Sequence, residues 1–517
     1  MVKKTSFVNG SELDFDAIVE FRNGKFVDVI NGCYFDESVR LLVSKGKIIA
    51  MPGLDGSDTD IKPDVSIDLK GKAVLPGLFN THCHINMLSP TLLASRKDIK
   101  VSKAFKDQQL IKNMEECLAH GITYIRDAMT ENLEDTRLLK ERINKGEIHG
   151  PRIIQSVVVS QPDAYFSKKA SFVMQIVRSL LGLASANFES QNCGILIFPM
   201  DATQQQVRDT VDRAIDERGA EAIKIGEQRN IMGSQQNDLT MMSMEQFQAL
   251  TDQAVKRGVQ STIHQVSVES YRRGIEGGIS SFAHMARDKD LTDQDIEAFI
   301  QAACIVEPTL SVGYDTSWPI DGEKPGENLK LLTDFRKNRY PFSHLAKEYY
   351  VPELQNCVVE SYEKFSTNRF KTLGIINLKK VVQSYSCIAT YGVENFRRLY
   401  QKGARMALAN DGGIPPCTPA MMEYELGLFD LYLNSGSAGK IFTGADAVRV
   451  ATINSAASMG LSDSMGSFEK GKVADLVVVD GDPLEDYQAI AGRAAALFMD
   501  GTMKINNCGL IVDKVSG

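Results

Sequence analysis

Two histidines at alternate positions are the first residues in this sequence that could do metal chemistry. His82 and His84 end a short apolar stretch, residues 77–84 (GLFNTHCH). In a β-strand, side chains at positions i and i+2 point to the same face, so both imidazoles can reach one metal ion while Cys83 points away. Because the chain has only 7 histidines, the pair alone is suggestive, and further ligands must come from other strands.

The elements that must position these histidines are predicted strands that alternate with helical segments. Helical periodicity is found, for example, in residues 244–257 and 394–402. Such alternation is typical of βα units around a parallel sheet, and eight strands favour an α/β fold of the (β/α)8 TIM-barrel type. The predicted strands are residues 73–84, 122–127, 152–159, 222–225, 260–264, 280–284, 305–310 and 405–411.

Further candidate ligands fall at the C-terminal ends of these strands, where the active sites of such barrels lie. His264 ends the fifth strand and His284 the sixth, and Asp411 ends the eighth. A single histidine at a strand end is equally compatible with a structural hydrogen bond, so the metal hypothesis depends on the whole set. Three histidines outside strand ends are interpreted as structural: His120, His149 and His344.

Lys224 lies among apolar residues of the fourth strand, in residues 221–226 (EAIKIG). A lysine that faces the barrel lumen is a buried charge, which is costly unless it is paired or neutralised. One interpretation is a salt bridge with a carboxylate such as Asp411. The other is that the desolvated amine reacts with CO₂ to give a carbamate, whose two oxygens bridge two metal ions.

The composition indicates a globular protein without a nucleic-acid or membrane partner. The chain has 517 residues, 43% hydrophobic and 24% charged, with a net charge of −8. This acidic balance provides no basic surface for nucleic acid or an anionic membrane. Nothing resembles a signal peptide or a membrane span, and the 9 cysteines form no Cys-x-x-Cys pair, which suits reduced thiols. We therefore expect a cytoplasmic protein that acts on a small-molecule substrate.

Both ends of the chain differ from the segment between them in the pattern of their predicted secondary structure. Residues 16–70 and 474–501 contain short strands broken by glycine and aspartate turns. Two half-sheets at opposite ends of a chain can complete one another, which predicts a small antiparallel β-sandwich. The predicted domains are residues 1–72 and 461–517 for this sandwich and residues 73–460 for the barrel.

Two long excursions interrupt the predicted barrel. Residues 313–391 form a polar, aromatic-rich insertion that includes Trp318, and residues 161–200 contain an apolar helical patch at 172–181. Long loops at a barrel mouth commonly face the substrate. The aromatic side chains either contact an apolar or aromatic substrate, with Trp318 among them, or form a small core of the insertion itself.

Several longer motifs can be compared with known families. They are residues 74–84 (VLPGLFNTHCH), 120–127 (HGITYIRD), 150–152 (GPR), 451–457 (ATINSAA) and 466–478 (GSFEKGKVADLVV). With these motifs the chain resembles the amidohydrolase superfamily, particularly its imidazolonepropionase-like and dipeptidase-like metal hydrolases. The resemblance covers nearly the whole chain, and its motifs specify the superfamily far better than a substrate.

The resemblance implies a metal centre with two cations, and imidazole and carboxylate ligands suit Zn²⁺, while Mn²⁺, Fe²⁺ and Co²⁺ also fit. It implies amide hydrolysis by a metal-bridged hydroxide, with Asp411 as general base and then general acid. A substrate such as an N-acyl amino acid or a dipeptide is expected. The implied ligands are His82, His84 and Asp411 at one cation, His264 and His284 at the other, and carbamylated Lys224 between them.

Departures from the family pattern concern the substrate more than the metals. Asn80 stands where aspartate is commoner, and the segment after the third strand lacks the Gly-Gly-His of many relatives. Residues 227–230 (EQRN) replace a small glycine-rich loop. In these altered loops we predict Tyr165 and Arg229 as substrate contacts. Arg229 either binds a substrate carboxylate or is an ordinary solvated arginine.

Two other functions stay open. The first is a mononuclear cyclic-amide hydrolase or aminohydrolase; aminohydrolase relatives carry glutamate three residues after the third histidine, where this chain has Ser267, and Lys224 counts against a single metal. The second is a non-catalytic binding protein on the same fold, although every expected ligand type is present. Relatives with this architecture are often dimers or larger, so a homo-oligomer is a further expectation.

Overall fold

The computed structural model describes residues 5–8, 16–54, 61–86, 96–130, 132–168, 190–229, 239–312, 317, 324–366, 388–414, 417–435 and 439–515. The strands are β1 (Val19–Arg22), β2 (Lys25–Asp28), β3 (Cys33–Tyr34), β4 (Leu41–Ser44), β5 (Lys47–Ala50), β6 (Val65–Asp68), β7 (Ala73–Pro76), β8 (Leu78–Cys83), β9 (Ile122–Asp127), β10 (Arg152–Ser160), β11 (Ile195–Ile197), β12 (Ala222–Gly226), β13 (Gln260–His264), β14 (Ser281–Ala283), β15 (Ile305–Glu307), β16 (Arg405–Met406), β17 (Leu476–Val479), β18 (Ala496–Met499), β19 (Thr502–Asn506) and β20 (Val512–Lys514).

The α-helices within the described ranges are α1 (Arg96–Ala104), α2 (Lys106–Ala119), α3 (Leu133–Asn144), α4 (Gln204–Asp216), α5 (Met244–Lys256), α6 (Val268–Glu276), α7 (Asp293–Gln301), α8 (Glu327–Asn338), α9 (Phe342–Tyr349), α10 (Pro352–Ser366), α11 (Val393–Gln401), α12 (Met422–Asn434), α13 (Gly444–Ala451), α14 (Ile453–Ser458) and α15 (Gln488–Ala491). A 3₁₀ turn covers Leu310–Val312, and a π turn covers Ile388–Gly392. In the described part of the chain, no helix combines the length and the apolar character that crossing a membrane requires.

One parallel sheet forms the centre of the fold, in the order β16-β15-β14-β13-β12-β10-β9-β8, with β11 added beside β10. Backbone hydrogen bonds join the two ends of this sheet. The amide of Thr81 donates to the carbonyl of Leu408 at 2.9 Å, and that of Asp411 to the carbonyl of His82 at 3.0 Å. The sheet therefore curls round on itself, and the predicted α/β fold with a barrel-type parallel sheet is confirmed. Strand β11 was not predicted.

Helices follow the barrel strands at points set by capping side chains. Thr203, Ser243 and Thr292 each accept a hydrogen bond from the backbone amide three residues later, and the side chain of that later residue bonds back. Such capping boxes satisfy amides that have no partner within the helix. The buried apolar faces of these helices and the strands share one core.

The predicted first strand, residues 73–84, is in fact two strands in two sheets. Strand β7 pairs with β17 and β2, whereas β8 pairs with β9 in the barrel sheet. The chain passes from one sheet to the other at Gly77, where an added Cβ would lie 2.2 Å from Oγ1 of Thr123. Only glycine allows this close approach, and the prediction of one continuous strand was wrong.

The two ends of the chain build two further sheets, β20-β6-β1-β4-β5 and β19-β18-β17-β7-β2-β3. Because β1 pairs with β6 and β2 with β7 in parallel, the sheets are mixed, and the expectation of purely antiparallel pairing was wrong. Phe21 of the first sheet and Phe498 of the second share an apolar cluster, with ring centroids 4.9 Å apart. A shared core is what a β-sandwich requires; the sandwich and the domain bounds stay predictions.

The described part of the insertion lies against helices α2 and α12. The side chain of Gln109 in α2 donates to the carbonyl of Tyr349 at 2.8 Å and accepts from the amide of Val351 at 2.9 Å. The ring of Phe335 lies 5.8 Å from that of Tyr424 in α12. Aromatic side chains of the insertion therefore take part in an interface with the barrel helices.

Parts of the two excursions lie outside the described residues. These parts include Trp318, the apolar helical patch at residues 172–181, and residues 367–387. The enclosure of a substrate by the two excursions, with Trp318 as a contact, stays a prediction.

Candidate metal centre

His82, His84 and Asp411 meet at one oxygen atom. The two histidines lie at the end of β8, and Asp411 lies in the segment after β16, which is joined to β8 by backbone hydrogen bonds. Nε2 of His82 lies 3.2 Å and Nε2 of His84 3.1 Å from Oδ1 of Asp411. All three residues are buried. The structure thus brings the predicted histidine pair to the predicted carboxylate.

His264 and His284 form a second pair at the ends of β13 and β14. Nδ1 of His264 lies 3.0 Å from Nε2 of His284. The ring of His284 is also 5.1 Å from that of His82. Ligand atoms of His82, His284 and Asp411 all lie within 4.8 Å of one another. The two pairs therefore form one continuous group.

Oxygen atoms lie on the far side of two imidazoles. Nδ1 of His84 faces the carbonyl oxygen of Met129 at 3.2 Å, and Nε2 of His264 faces Oε1 of Gln228 at 3.1 Å. A carbonyl oxygen only accepts, so with a cation on the inner side of each ring these outer nitrogens would be the N–H donors. Nε2 of His84 and Nδ1 of His264 would then present their lone pairs to the cation.

The other two imidazoles have the same arrangement. The hydroxyl of Thr309 donates to the carbonyl of Pro308 at 2.8 Å, so it accepts from Nδ1 of His284 at 2.7 Å. Nδ1 of His82 faces Oε2 of Glu307 at 3.5 Å. A protein oxygen therefore lies behind every predicted imidazole ligand, where it can accept the proton of the outer nitrogen and leave the inner lone pair for a cation.

With the ring protons on the outer nitrogens, the inward-facing nitrogens of the four histidines and the oxygen of Asp411 are all acceptors, which suits cations. Two ligand atoms that each bind one Zn²⁺ at about 2.1 Å in tetrahedral geometry lie roughly 3.4 Å apart. The observed separations of 3.0, 3.1 and 3.2 Å are close to this value. Facing lone pairs repel one another unless a proton or a cation lies between them. The donor set therefore fits divalent cations.

For His264, His284 and Asp411 the pKa shifts favour ligand-ready protonation states. Burial by itself lowers the pKa of His84, but the contact with Asp411 raises it above its usual value. Burial, together with neighbouring positive charge, lowers the pKa of His264 and His284 well below the usual range, so both imidazoles are neutral. Burial by itself raises the pKa of Asp411, but contacts with His82 and His84 hold it well below the usual range. A neutral imidazole and an ionised carboxylate are the forms that bind metals.

Lys224 lies on β12 with its side chain in the interior. Its Nζ is buried, and no described residue forms a hydrogen bond with it. Burial, opposed in part by the negative charge of Glu307, lowers the pKa of Lys224 to about 7. The alternative salt bridge with Asp411 has no support from a contact within the described part of the chain. The amine is instead partly neutral near pH 7, and its nitrogen lone pair is available for reaction.

The backbone at this group is unusual for residues other than glycine. His284, Thr309 and Asp411 have φ angles of 69°, 49° and 53°. Such left-handed conformations cost on the order of 1–3 kcal/mol each and concentrate at functional sites. Beside them, an added Cβ on Gly413 would lie 2.0 Å from the carbonyl oxygen of His84, so glycine is required there.

The predicted substrate contacts have different surroundings. The ring of Tyr165 stacks on that of His264, with centroids 4.0 Å apart, and burial raises the pKa of Tyr165 to about 12. Arg229 is exposed, and its guanidinium donates to Glu269 at 2.9 Å. Tyr165 therefore lies against the candidate metal centre, whereas Arg229 is engaged with a surface carboxylate.

Three charged residues near the group received no role from the sequence. Arg126 and Glu307 are fully buried and form an ion pair. The positive charge of Arg287 affects Tyr165, His264 and His284, and Arg287 lines a cavity of about 20 Å³ beside His284. The signal that could have identified the buried pair is a charge within each of two apolar strands, since a buried charge needs a partner.

Asn80 stands where aspartate is commoner in the family, and its side chain links the two ends of the curled sheet. Its Nδ2 donates to Oδ1 of Asn410 and to the carbonyl of Pro419, both at 2.8 Å. Its Oδ1 accepts from the backbone amide of His82 at 3.2 Å. The amide of Asn80 thus supplies both a donor and an acceptor, which an ionised aspartate cannot do.

The histidines interpreted as structural lie apart from this group. Nδ1 of His120 lies 2.9 Å from the carbonyl oxygen of Glu116, and the ring of His149 stacks on Phe7 at 4.5 Å. His344 is exposed. Among the described residues, none of these three histidines belongs to a group of ligand-type side chains that could hold a metal ion.

Sequence comparison gives a family match and a short local match. A profile of the amidohydrolase family matches residues 73–504. The imidazolonepropionase of Sphingopyxis alaskensis is 38% identical over 86 residues, which are 16% of this chain and 19% of that enzyme. The local match therefore spans far less than two thirds of this curated relative.

Solved structures share the fold over nearly the whole chain. An Xaa-Pro dipeptidase with bound methionine has a TM-score of 0.63 at 18% identity, covering 95% of this chain and 100% of that one. The ochratoxinase of A. niger has a TM-score of 0.60 at 17% identity, with coverage of 95% and 96%. A phenylurea hydrolase B has a TM-score of 0.60 at 16% identity, with coverage of 94% and 96%. At these identities the likeness concerns the fold.

Proposed function

The chain belongs to the amidohydrolase family, and from that premise we propose that it is a metal-dependent hydrolase that cleaves the carbon–nitrogen bond of an amide. The proposed centre holds two divalent cations, for which Zn²⁺ is the first choice by ligand type. The proposed ligands are His82, His84 and Asp411 at one cation, His264 and His284 at the other, and carbamylated Lys224 between them.

A single observation carries this proposal: the inner nitrogens of four imidazoles face one another or a carboxylate, and a protein oxygen lies behind each ring. Nδ1 of His264 and Nε2 of His284 are 3.0 Å apart, with oxygens of Gln228 and Thr309 at their outer nitrogens. With the protons on the outer nitrogens and no cation, this arrangement would bury repulsive acceptor pairs with no donor between them. Binding of a cation removes the repulsion and uses every lone pair.

The proposed carbamate follows from the surroundings of Lys224. A pKa of about 7 leaves a substantial share of the amine neutral near pH 7. The lone pair of Nζ attacks the carbon of CO₂, so that a nitrogen–carbon bond forms while one C=O π bond breaks and its electron pair moves to oxygen. Nζ then releases a proton, which passes to solvent. The anionic product replaces a buried cation by a group whose two oxygens can each bind one cation.

The chain's own residues would then move the protons of hydrolysis. When bound, the cations would polarise the scissile carbonyl and lower the pKa of water. His82 and His84 both face Oδ1 of Asp411, so we assign Oδ2 to accept the proton of the attacking water and deliver it to the leaving nitrogen. The depressed pKa of Asp411 keeps this carboxylate ionised.

The proposed substrate is an N-acyl amino acid or a dipeptide, since both combine an amide with a carboxylate. Arg287 supplies positive charge beside Tyr165 and His284, which would attract that carboxylate. The ring of Tyr165, stacked on His264, offers an apolar wall for the substrate side chain. A dipeptide is further favoured by the fold shared with an Xaa-Pro dipeptidase.

Two alternatives are less well supported. An aminohydrolase would need a proton-shuttling group at position 267, but Ser267 caps α6, accepting from the amide of Ser270 at 3.2 Å. A mononuclear hydrolase would leave the amine of Lys224 buried without a partner. A non-catalytic binding protein would have no use for the proposed proton acceptor at Asp411.

Metal analysis and a substrate screen test the proposal. The chain, purified and loaded with Zn²⁺ in the presence of bicarbonate, should hold two cations and hydrolyse N-acyl amino acids or dipeptides. A ¹³C carbamate resonance should appear after loading with labelled bicarbonate. One cation and no carbamate would favour the mononuclear alternative, and no retained cation would favour a binding protein.

A further inference from the structure

Glu307, the last residue of β15, has its two carboxylate oxygens in different surroundings. Oε1 accepts from the guanidinium of Arg126, from the hydroxyl of Ser281 at 2.5 Å, and from the hydroxyl of Ser458. The side chains of Arg126 and Glu307 are both fully buried, with 0% exposure. Three donors on one oxygen hold this carboxylate in a single orientation.

The other oxygen faces the candidate metal centre. Within the described part of the chain, Oε2 of Glu307 forms no hydrogen bond, and Nδ1 of His82 forms none either. These two buried atoms lie 3.5 Å apart. Nε2 of His82, on the opposite side of the ring, points at Asp411. The imidazole therefore lies between two carboxylates.

We propose that Glu307 is a positioning residue for the metal centre: its Oε2 accepts the Nδ1 proton of His82 and so directs the Nε2 lone pair of His82 towards the cation. The inference rests on the proposed function, because it needs a cation at His82. Arg126 provides the charge that stabilises a buried carboxylate at this point, and the two serines fix its rotation.

A purely structural ion pair would be built differently. Arginine and carboxylate groups in such pairs commonly use both oxygens in two parallel hydrogen bonds. Here Arg126 and both serine hydroxyls converge on Oε1, although an unused buried oxygen is costly. The arrangement is explained if Oε2 is reserved for His82, since an oxygen behind a ligand histidine fixes its tautomer and increases its basicity.

The variant Glu307→Gln tests this role with nearly unchanged shape. The donors around Oε1 require the amide oxygen of glutamine on that side, so its NH₂ group faces Nδ1 of His82. A donor in this position favours the opposite tautomer, in which His82 presents N–H rather than a lone pair to the cation. We expect the dissociation constant for Zn²⁺, measured by competition with a chromophoric chelator, to rise about 10- to 100-fold.

Glu353→Gln is the matched control, because it makes the same chemical change at an exposed glutamate of α10, away from His82. Its dissociation constant should equal that of the wild type, and the far-ultraviolet circular dichroism of both variants should be unchanged. A folded Glu307→Gln protein with wild-type Zn²⁺ affinity would overturn the inference while leaving the proposed function intact. A wild-type chain that binds no Zn²⁺ would overturn both.

A second measurement does not depend on the folding of any variant. In the Co²⁺-loaded wild-type protein, the Nδ1 proton of His82 should give a shifted, slowly exchanging NMR resonance, because Glu307 holds it in the buried interior. Assignment of the His82 proton to Nε2, or of the cation to Nδ1, would contradict the role of Glu307 even if Glu307→Gln failed to fold.

Discussion

Nδ1 of His264 faces Nε2 of His284 at 3.0 Å, and a protein oxygen lies at the outer nitrogen of each ring. When those oxygens hold the ring protons, two lone pairs face each other and cannot form a hydrogen bond. A bound cation would relieve the electrostatic cost of this contact. Metal binding should accordingly be visible in stability as well as in activity.

Removal of the cations should lower thermal stability. A ligand that binds only the folded state adds about 2.7 kcal/mol to the free energy of unfolding at a free concentration of 100 times its dissociation constant. We expect Tm to fall when EDTA is added and to recover with Zn²⁺, as measured by scanning calorimetry. His284→Ala should lose this response, whereas His344→Ala, at an exposed histidine, should keep it. Equal Tm values with and without Zn²⁺ would contradict a structural metal centre.

Asp411→Asn should remove the proton acceptor while preserving the size of the side chain. We expect kcat for amide hydrolysis to fall about 10²- to 10⁴-fold, the usual contribution of a positioned acid or base. Because Asp411 is also a proposed ligand, the cation content of the variant must be measured beside its kinetics. Asp513→Asn, at an exposed residue of β20, is the control and should retain wild-type kcat. Wild-type turnover in a metal-loaded Asp411→Asn enzyme would exclude the assigned role.

Lys224→Met should remove the proposed bridging carbamate without disrupting the fold. Methionine fills a similar volume without a buried amine, so the metal-free variant should be at least as stable as the wild type. Its retained cations should fall from two per chain to one or none, as measured by elemental analysis after dialysis. Lys47→Met changes an exposed lysine and should keep both. Two tightly held cations in Lys224→Met would rule out the bridging carbamate.

Arg287→Met should weaken binding of substrates that carry a carboxylate. A charge-assisted hydrogen bond contributes about 1.5–3 kcal/mol, so KM for an N-acyl amino acid should rise about tenfold or more. KM for the corresponding neutral amide should change little. Arg229→Met is the matched control, since its guanidinium is engaged by Glu269 at the surface. If Arg229→Met rather than Arg287→Met raised KM, the prediction of Arg229 as a substrate contact would be correct.

Glu423, on α12, should make stability depend on pH. Burial, with the negative charge of Glu348 next, raises the pKa of Glu423 to about 7. The folded state thus holds a proton that the unfolded state releases near pH 4.5, so this contribution is full below pH 4.5 and is lost as the pH rises through 7. Tyr349 donates to this carboxyl, and Arg493 also faces it.

Glu423→Gln should therefore unfold less readily than the wild type above pH 7, by roughly 2 kcal/mol, with no gain at pH 4.5. Urea denaturation at several pH values measures the difference. Glu353→Gln, at an exposed glutamate of α10, should show no such dependence. A pH-independent difference between Glu423→Gln and wild type would mean that the pKa of Glu423 is the same in the folded and unfolded states, which would contradict the prediction.

The sequence by itself determined the features that depend on local periodicity. Alternation along β8 put His82 and His84 on one face, and strand ends identified His264, His284 and Asp411. A lysine among apolar residues identified Lys224 as exceptional, because burial of a charge is costly wherever the strand lies. These inferences need only the neighbours in sequence, because periodicity and local polarity are properties of each segment alone.

Only the tertiary structure decided which distant groups meet. The division of residues 73–84 at Gly77 depends on Thr123, and the two donors that converge on Glu307 beside Arg126 come from β14 and α14. The placement of the insertion against α2, and the mixed pairing of the end sheets, likewise depend on contacts between remote segments. Local patterns specify which face of an element is buried, but many partners satisfy the same pattern, and only close packing of the whole chain selects among them.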